Sequence, residues 1–583
     1  MVRRVFRTFR SMARVRRHGT RARTGAHAAT PRVSAAEDAR GVRDAHCEPR
    51  GASGKLPPRF RANEEPLMAQ AFPASPTTTP STRTLVVQSP IDGSRLGEVP
   101  LMGDAEVHAA VERARLAQRA WAQLPIETRA GRVARVIDAF VERLDDLVDA
   151  VVLETGKPRN DALAEWITVV DACHYFTRHA GRILADTSIT LHHMKWRGSY
   201  VTYVPMGVVA VISPWNLPLA IPMGSVIEAL IAGNAVVVKP SEVTPLTLLK
   251  AKEVVDAIGI PTDLFQVVTG DARTGAALID AGVQKVVFTG GVSSGRRVGA
   301  ACAERLIPCV LELGGKAPLI ACDDCEIERT ARSIVAGGFI NSGQLCISVE
   351  RVLATEAVHD RLVDRVVALT RELRQGDPRA DDVDVGAIIF AKQMDIAEAH
   401  IKDAVARGAL VATGGRRRPG PGMFFEPTVL TRCTPEMTVM REEIFGPVVP
   451  IMKVRDEDEA VRIANDSPLG LHAYVFSRDK TRARAVAERI EAGTVMINDV
   501  LVSYCAPEAP FGGIKNSGYG RVHSDDSLRA MCYARHVNHE RFAMPLNSPL
   551  LFPYTTAKYR GMRAAIRATF KRTPLLGRLA DLL

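Results

Sequence analysis

Between Leu311 and Val349 a carboxylate and a thiol bracket one stretch of chain: LELGGKAP carries Glu312, and FINSGQLCISV carries Cys346. A thiol is a few per cent thiolate at neutral pH and the thiolate is strongly nucleophilic, so an accessible sulfur here could attack an electrophilic carbon. Asn341, Ser342, Gly343 and Gln344 lead into Cys346 and are small or polar, which lets backbone come close to a ligand. Glu312 is the candidate base. Gly314 and Gly315, just behind it, would let a second strand or a flat ligand lie against the backbone. On burial alone, a lone cysteine among apolar residues is more often inert packing.

The elements that must position these groups are legible around them. Tyr203 to Pro240 holds only Glu228 and Lys239 as charges, yet Pro205, Pro214, Pro218 and Pro222 would break the helix that a bilayer demands. GVVAVI and AVVVK instead read as buried parallel strands linked by a helix from Pro222 to Ala232. FQVVTG, a helix around Thr274 to Asp280, and KVVFTGG repeat the unit. Such alternation predicts a doubly wound α/β sheet, with ligands bound beyond the carboxyl ends of its strands. Those ends carry PWN at 214–216, KPSE at 239–242 and FTGGVSSG at 288–295. Gly290 and Gly295 open a helix from a strand, either presenting N–H groups to a phosphate or forming a plain turn. Upstream, the run from Thr84 predicts a hairpin turning at Asp92-Gly93, then helices over Ala105–Ala122 and Ile126–Glu154, the second stopped by Gly156 and Pro158 in LETGKP.

The 583 residues allow two or three domains, with 46% hydrophobic and 24% charged content typical of a globular protein. The net charge of +11 lies in the tails, about +10 in residues 1–67 and +6 in 538–583, so the body is mildly acidic and offers no nucleic-acid groove. Ten scattered cysteines suit a reducing compartment. Cys322 and Cys325 lack the second pair a zinc site needs, so no metal is expected, and Cys302 reads as helix packing. Residues 1–82 are Arg- and Pro-rich and read as disordered. A transit peptide and a start at Met68 are alternative readings of that segment; a twin-arginine signal lacks its apolar stretch. In the tail, Tyr559, Met562, Ile566 and Phe570 share one helical face, and Arg560, Arg563, Arg567 and Lys571 another. That pattern suits peripheral contact with an anionic membrane or docking on the protein itself.

LELGGK at 311–316 and FINSGQLC at 339–346, in this order, resemble the NAD(P)-dependent aldehyde dehydrogenase superfamily. LETGKP, PWN, EEIFGPVVP at 442–450 and PFGGIKNSGYGR at 510–521 extend the likeness over about Leu85 to Val537. One departure is Gly291, where the family has serine. The resemblance implies an α/β, aldehyde-dehydrogenase-like fold: a Rossmann-type cofactor domain (83–194 and 206–311), an α/β catalytic domain (312–497) and a small β oligomerisation arm (195–205 and 498–537), followed by a tail (538–583). It implies Cys346 as nucleophile, the Asn216 amide as oxyanion donor and Glu312 as the base that activates the hydrolytic water. For the cofactor it implies Lys239 and Glu242 at the adenosine ribose, Gly290 and Gly295 at the pyrophosphate, and Glu443 and Phe445 at the nicotinamide, with Trp215, Gly270 and Gly314 alongside. A carboxylate at 242 favours NAD, although Lys239 could tolerate NADP. The expected enzyme oxidises an aldehyde to its acid as a cytoplasmic homodimer or homotetramer. Leu345, Ile347 and Leu501, with Ser503 near the entry, lean towards a hydrophobic substrate. The competing readings are a CoA-acylating relative, which often lacks the glutamate, and a catalytically silent cofactor-binding protein.

Overall fold

The structure, a computed structural model, describes residues 83–542 and 548–570. The expected disorder of residues 1–82, and the end of the basic tail with Lys571, lie outside the described residues.

The apolar runs pair as buried strands. Val208–Ile212 and Ala235–Lys239 are buried at every position and run parallel, Val208 facing Ala235. They belong to a six-stranded sheet in the order Gly518–Tyr519, Cys309–Glu312, Lys285–Thr289, Val208–Ile212, Ala235–Lys239, Phe265–Val267. From Val208–Ile212 the chain steps outward twice, then returns to lay Lys285–Thr289 on the other flank. The connection therefore reverses direction between these two strands, and a crevice opens beyond their carboxyl ends. The intervening helix starts at Ala220, two residues before Pro222, and runs to Ala232.

A second sheet of seven strands runs Leu410–Thr413, Thr428–Thr431, Val448–Val454, Arg351–Thr355, Pro318–Ala321, His472–Phe476, Thr494–Ile497. It is parallel except at Leu410–Thr413. LELGGKAP is the bridge between the two: Glu312 ends a strand of the first sheet, and Pro318 starts a middle strand of the second. A third sheet pairs Cys532–Glu540 with Arg197–Pro205 over nine residues, with Thr187–Ser188 beyond. Within 498–537 only Cys532–Val537 pairs in that sheet; Gly518–Tyr519 turns back onto Leu311 and Glu312 instead.

The amino-terminal hairpin forms as expected, Thr84–Gln88 against Arg95–Pro100. The stretch expected to be one helix over Ile126–Glu154 is three, Ile126–Val133, Arg135–Glu142 and Leu144–Thr155, whose bends let Val133, Phe140 and Leu147 all reach the core. Among the described residues no helix is long and apolar enough to cross a membrane.

Candidate active site

Cys346 sits in the loop between helix Ile327–Phe339 and strand Arg351–Thr355. Asn341, Ser342 and Gly343 in that loop have φ of 52°, 54° and 73°, a left-handed run that glycine and asparagine tolerate but serine seldom adopts. Buried hydrogen bonds hold it there. Asn341 N–H donates to Asp161 Oδ2 at 2.8 Å, Gln344 Nε2 donates to Asn341 O at 2.8 Å, and Gln344 Oε1 accepts from Ile389 N at 2.9 Å. The glycine pair of LELGGK passes directly behind. A Cβ on Gly315 would stand 2.3 Å from the Cys346 carbonyl oxygen, and one on Gly314 would stand 2.4 Å from Glu443 Oε2.

Asn216 is drawn to the same loop: its Nδ2 donates to Gln344 O at 2.9 Å. Its own carbonyl accepts from Lys157 Nζ at 2.7 Å and Asn341 Nδ2 at 3.1 Å. Lys157 is fully buried and paired with Glu165, whose Oε2 takes the N–H groups of Leu219 and Ala220 where a helix begins. One polar network thus clamps PWN against the cysteine loop.

Glu312 is buried, and neither carboxyl oxygen has a hydrogen-bond partner. Burial holds its pKa well above the carboxylate range, opposed by the Arg521 guanidinium. Burial, and then the carboxylates of Glu443 and Glu312, likewise push the Cys346 thiol far up. Cys346 is therefore a neutral thiol at neutral pH in this state. An orphaned buried carboxyl beside a partly accessible thiol is the pattern of groups kept for chemistry rather than for stability.

Two cavities meet at these groups. The first is walled by Trp215, Asn216, Gly290, Gly314, Glu443 and Phe445, among others. The second is walled largely by apolar side chains, including Leu345, Ile347, Leu501 and Phe511. They share Ile221, Thr289, Leu313, Glu312 and Cys346. Ser503 is engaged elsewhere, with His472 Nε2 at 2.7 Å.

On the first side Phe445 meets Trp215 edge to face at 5.3 Å, with left-handed backbone at φ 53°. Glu350 imposes that backbone by accepting the N–H groups of Ile444 and Phe445 while paired with buried Lys316 at 2.8 Å. Glu443 accepts from Gly315 N at 2.9 Å, and burial, with Glu350 nearby, pushes its pKa up to about 8. Further out, Lys239 Nζ lies 3.0 Å from Gly270 O and 3.6 Å from the exposed carboxylate of Glu242.

The expectation that Gly290 and Gly295 offer their N–H groups is not met. Gly290 N donates to Glu312 O and Gly295 N to Gly291 O, and a Cβ on Gly295 would meet Leu313 Cδ2 at 2.4 Å. These glycines permit close packing. The N–H groups without intrahelical acceptors belong to the first turn of the helix Val292–Glu304. A dinucleotide fits this first cavity, which lies beyond the reversal of strand order, beside a helix N-terminus, and ends on an aromatic pair next to the thiol.

Asp161, Glu165 and Glu350 do not stand out from sequence, and nothing in their local pattern marks them, whereas Gln344 lies within FINSGQLC. Lys157 and Lys316 lie inside LETGKP and LELGGK, so their motifs carried a signal that spacing alone did not interpret.

Fold and site together define an α/β oxidoreductase that holds a dinucleotide in a strand-end crevice and brings a cysteine thiol to its inner end. The family profile described as "Aldehyde dehydrogenase family" matches residues 77–537, and the chain belongs to that family. It is 37% identical over 502 residues to the 4,4'-diapolycopene aldehyde oxidase of Methylomonas sp, covering 85% of this chain and 93% of the relative. It is 36% identical to the succinate-semialdehyde dehydrogenase [NADP(+)] GabD of Escherichia coli (strain K12), covering 75% and 90%. Among solved structures, PnpE from Pseudomonas sp. WBC-3 in complex with nicotinamide adenine dinucleotide is 32% identical, with a TM-score of 0.76 over 79% of this chain and 95% of that one. The chain is thus an aldehyde dehydrogenase that oxidises an aldehyde to the acid with NAD or NADP as acceptor, through the family's cysteine thiohemiacetal chemistry.

Proposed function

We propose that Cys346 is the nucleophile, Asn216 an oxyanion donor and Glu312 the general base. The observation that carries this is the meeting of the two cavities at Cys346 and Glu312, with the Asn216 amide clamped to the same loop. The Cys346 thiolate adds to the aldehyde carbon, and the oxyanion so formed is held by the second Nδ2 hydrogen of Asn216 and the Cys346 N–H. One such donor contributes about 3 to 4 kcal/mol. Bound NAD or NADP supplies the hydride acceptor that turns the thiohemiacetal into a thioester. Glu312, once ionised, removes a proton from the water that hydrolyses it. Cys346→Ala should abolish aldehyde-dependent NADH formation while NAD binding stays measurable by calorimetry. Turnover persisting in that variant would overturn the assignment.

The orphaned Glu312 carboxyl favours water over coenzyme A as the acyl acceptor, so free acid rather than acyl-CoA is the expected product by mass spectrometry. The six-stranded sheet serves as the cofactor domain and the seven-stranded sheet as the catalytic one. Trp215, Gly314, Glu443 and Phe445 line the nicotinamide end, and Lys239, Glu242 and Gly270 the adenosine end. The exposed Glu242 carboxylate would accept from a free 2′-hydroxyl, so NAD is preferred. Gly290 and Gly295 act there as close-packing residues beside the pyrophosphate. The largely apolar second cavity takes an aldehyde with an apolar chain.

The mostly exposed nine-residue edge strand Cys532–Glu540 joins subunits into a homodimer or homotetramer. All nine described cysteines are free thiols, which suits the cytoplasm. The helix Thr556–Phe570 contacts an anionic membrane surface peripherally. None of its residues is buried, and it carries Lys558, Arg560, Arg563 and Arg567 with no acid. Tyr559, Ile566 and Phe570 are each more than half exposed along one stripe beside those cations.

A further inference from the structure

The second cavity follows one face of the helix Ala220–Ala232: Ile221, Gly224, Ser225 and Glu228, at the three- and four-residue spacing that aligns side chains, all line it. Gly224 and Ser225 are small and leave the wall open. One turn on, Glu228 is buried and its Oε2 has no hydrogen-bond partner. Burial pushes its pKa up to about 7, partly offset by Ser527 and by Lys285, which does not line the cavity.

The other ionisable groups on this wall set its charge. Asp161, Glu165 and Glu312 are carboxyls; Lys157 and His523 are the basic groups among the described lining residues. Lys157 is committed to Glu165 and the Asn216 carbonyl. His523 is held neutral, its pKa pushed down by burial to about 4. A substrate carboxylate entering here would lose its water and meet no uncommitted cation, while facing Glu228. Such burial is strongly unfavourable.

We infer that this cavity admits an uncharged aldehyde and rejects one carrying a distal carboxylate, with Glu228 as a specificity-determining residue. The inference rests on the assignment of Cys346 as the nucleophile at the cavity's inner end. It separates this chain from the semialdehyde-oxidising relatives that it matches over most of its length, since a semialdehyde of a dicarboxylic acid carries that charge.

The test compares two substrates of one length with the full chain and NAD: methyl 4-oxobutanoate and 4-oxobutanoate. The pH is set about one unit above the Glu228 pKa of about 7, so that its carboxylate is formed. We expect kcat/KM for the ester to exceed that for the carboxylate by about 30-fold or more, since a buried unpaired charge discriminates more strongly than a methylene does. A smaller ratio overturns the inference. In Glu228→Gln the ratio should shrink by about fivefold or more as the like charge is removed; an unchanged ratio removes Glu228 as the determinant. Oxidation of neither compound, or oxidation that survives Cys346→Ala, would instead bring down the underlying assignment, and the inference with it.

Discussion

At the level of single residues the site is a problem in protonation. Burial, and then Glu443 and Glu312, hold Cys346 as the thiol, while burial, opposed by Arg521, raises the Glu312 pKa well above the carboxylate range. The reactive forms are the thiolate and the carboxylate, so the active fraction of each grows as pH rises towards its raised pKa. kcat/KM should therefore rise rather than fall as pH increases through neutrality, a trend that a pH-rate profile reads directly. In the proposed mechanism hydrolysis depends on Glu312 whereas thioester formation does not, which separates the two in Glu312→Gln. That variant should release about one equivalent of NADH per site in a burst, then turn over ~10²- to 10⁴-fold more slowly. Stopped-flow absorbance reads both phases; full steady-state turnover without a burst would rule out the base role.

At the level of elements, buried ion pairs hold two loops in conformations that their own residues disfavour. Lys316 and Glu350 are almost completely buried, and Glu350 also satisfies the backbone of Ile444 and Phe445. A pair like this contributes little net stability, but removing one partner strands the other. Glu350→Ala should thus lower unfolding free energy by about 3 to 5 kcal/mol in a denaturant titration. With Phe445 no longer held edge-on to Trp215, the KM for NAD should rise as well. A variant as stable as the parent would mean that water reaches Lys316. Lys157 and Glu165 do the same service for PWN and the cysteine loop, which is why two segments distant in sequence arrive in register.

For the whole molecule, LELGGKAP crosses from the six-stranded sheet to the seven-stranded sheet, so Glu312 and Cys346, the reacting groups proposed above, lie at the seam where two cavities meet. The carboxyl-terminal helix stands apart from this body. Among the described residues its one ring contact is Phe570 against His193 at 5.0 Å. Each basic residue near an anionic bilayer contributes about 1 kcal/mol, so four should give salt-sensitive binding. The full chain should sediment with phosphatidylserine-containing vesicles and not with neutral phosphatidylcholine ones. Reversing Arg560, Arg563 and Arg567 to glutamate should abolish that sedimentation while aldehyde oxidation continues. Equal sedimentation of the parent with both vesicle types, or undiminished binding by the reversed variant, would exclude the anionic contact.

Much of this was legible beforehand for a local reason. Strands buried on both faces must be apolar nearly throughout, so GVVAVI and AVVV, before Lys239 at the strand end, declare themselves. A turn such as Asp92-Gly93 needs particular residues, and a nucleophile loop needs small ones. Cys346, Glu312 and Asn216 stood out through motif order, a property of the chain alone. Whatever depends on which distant segments come to rest together was not legible. Packing decided that the N–H groups of Gly290 and Gly295 are already used and that Gly518–Tyr519 turns back onto Leu311 and Glu312. Only packing could set a lone glutamate at 228, unremarkable within its helix, against the route to the thiol, because the water lost by a side chain and the charges that face it are properties of the assembled fold.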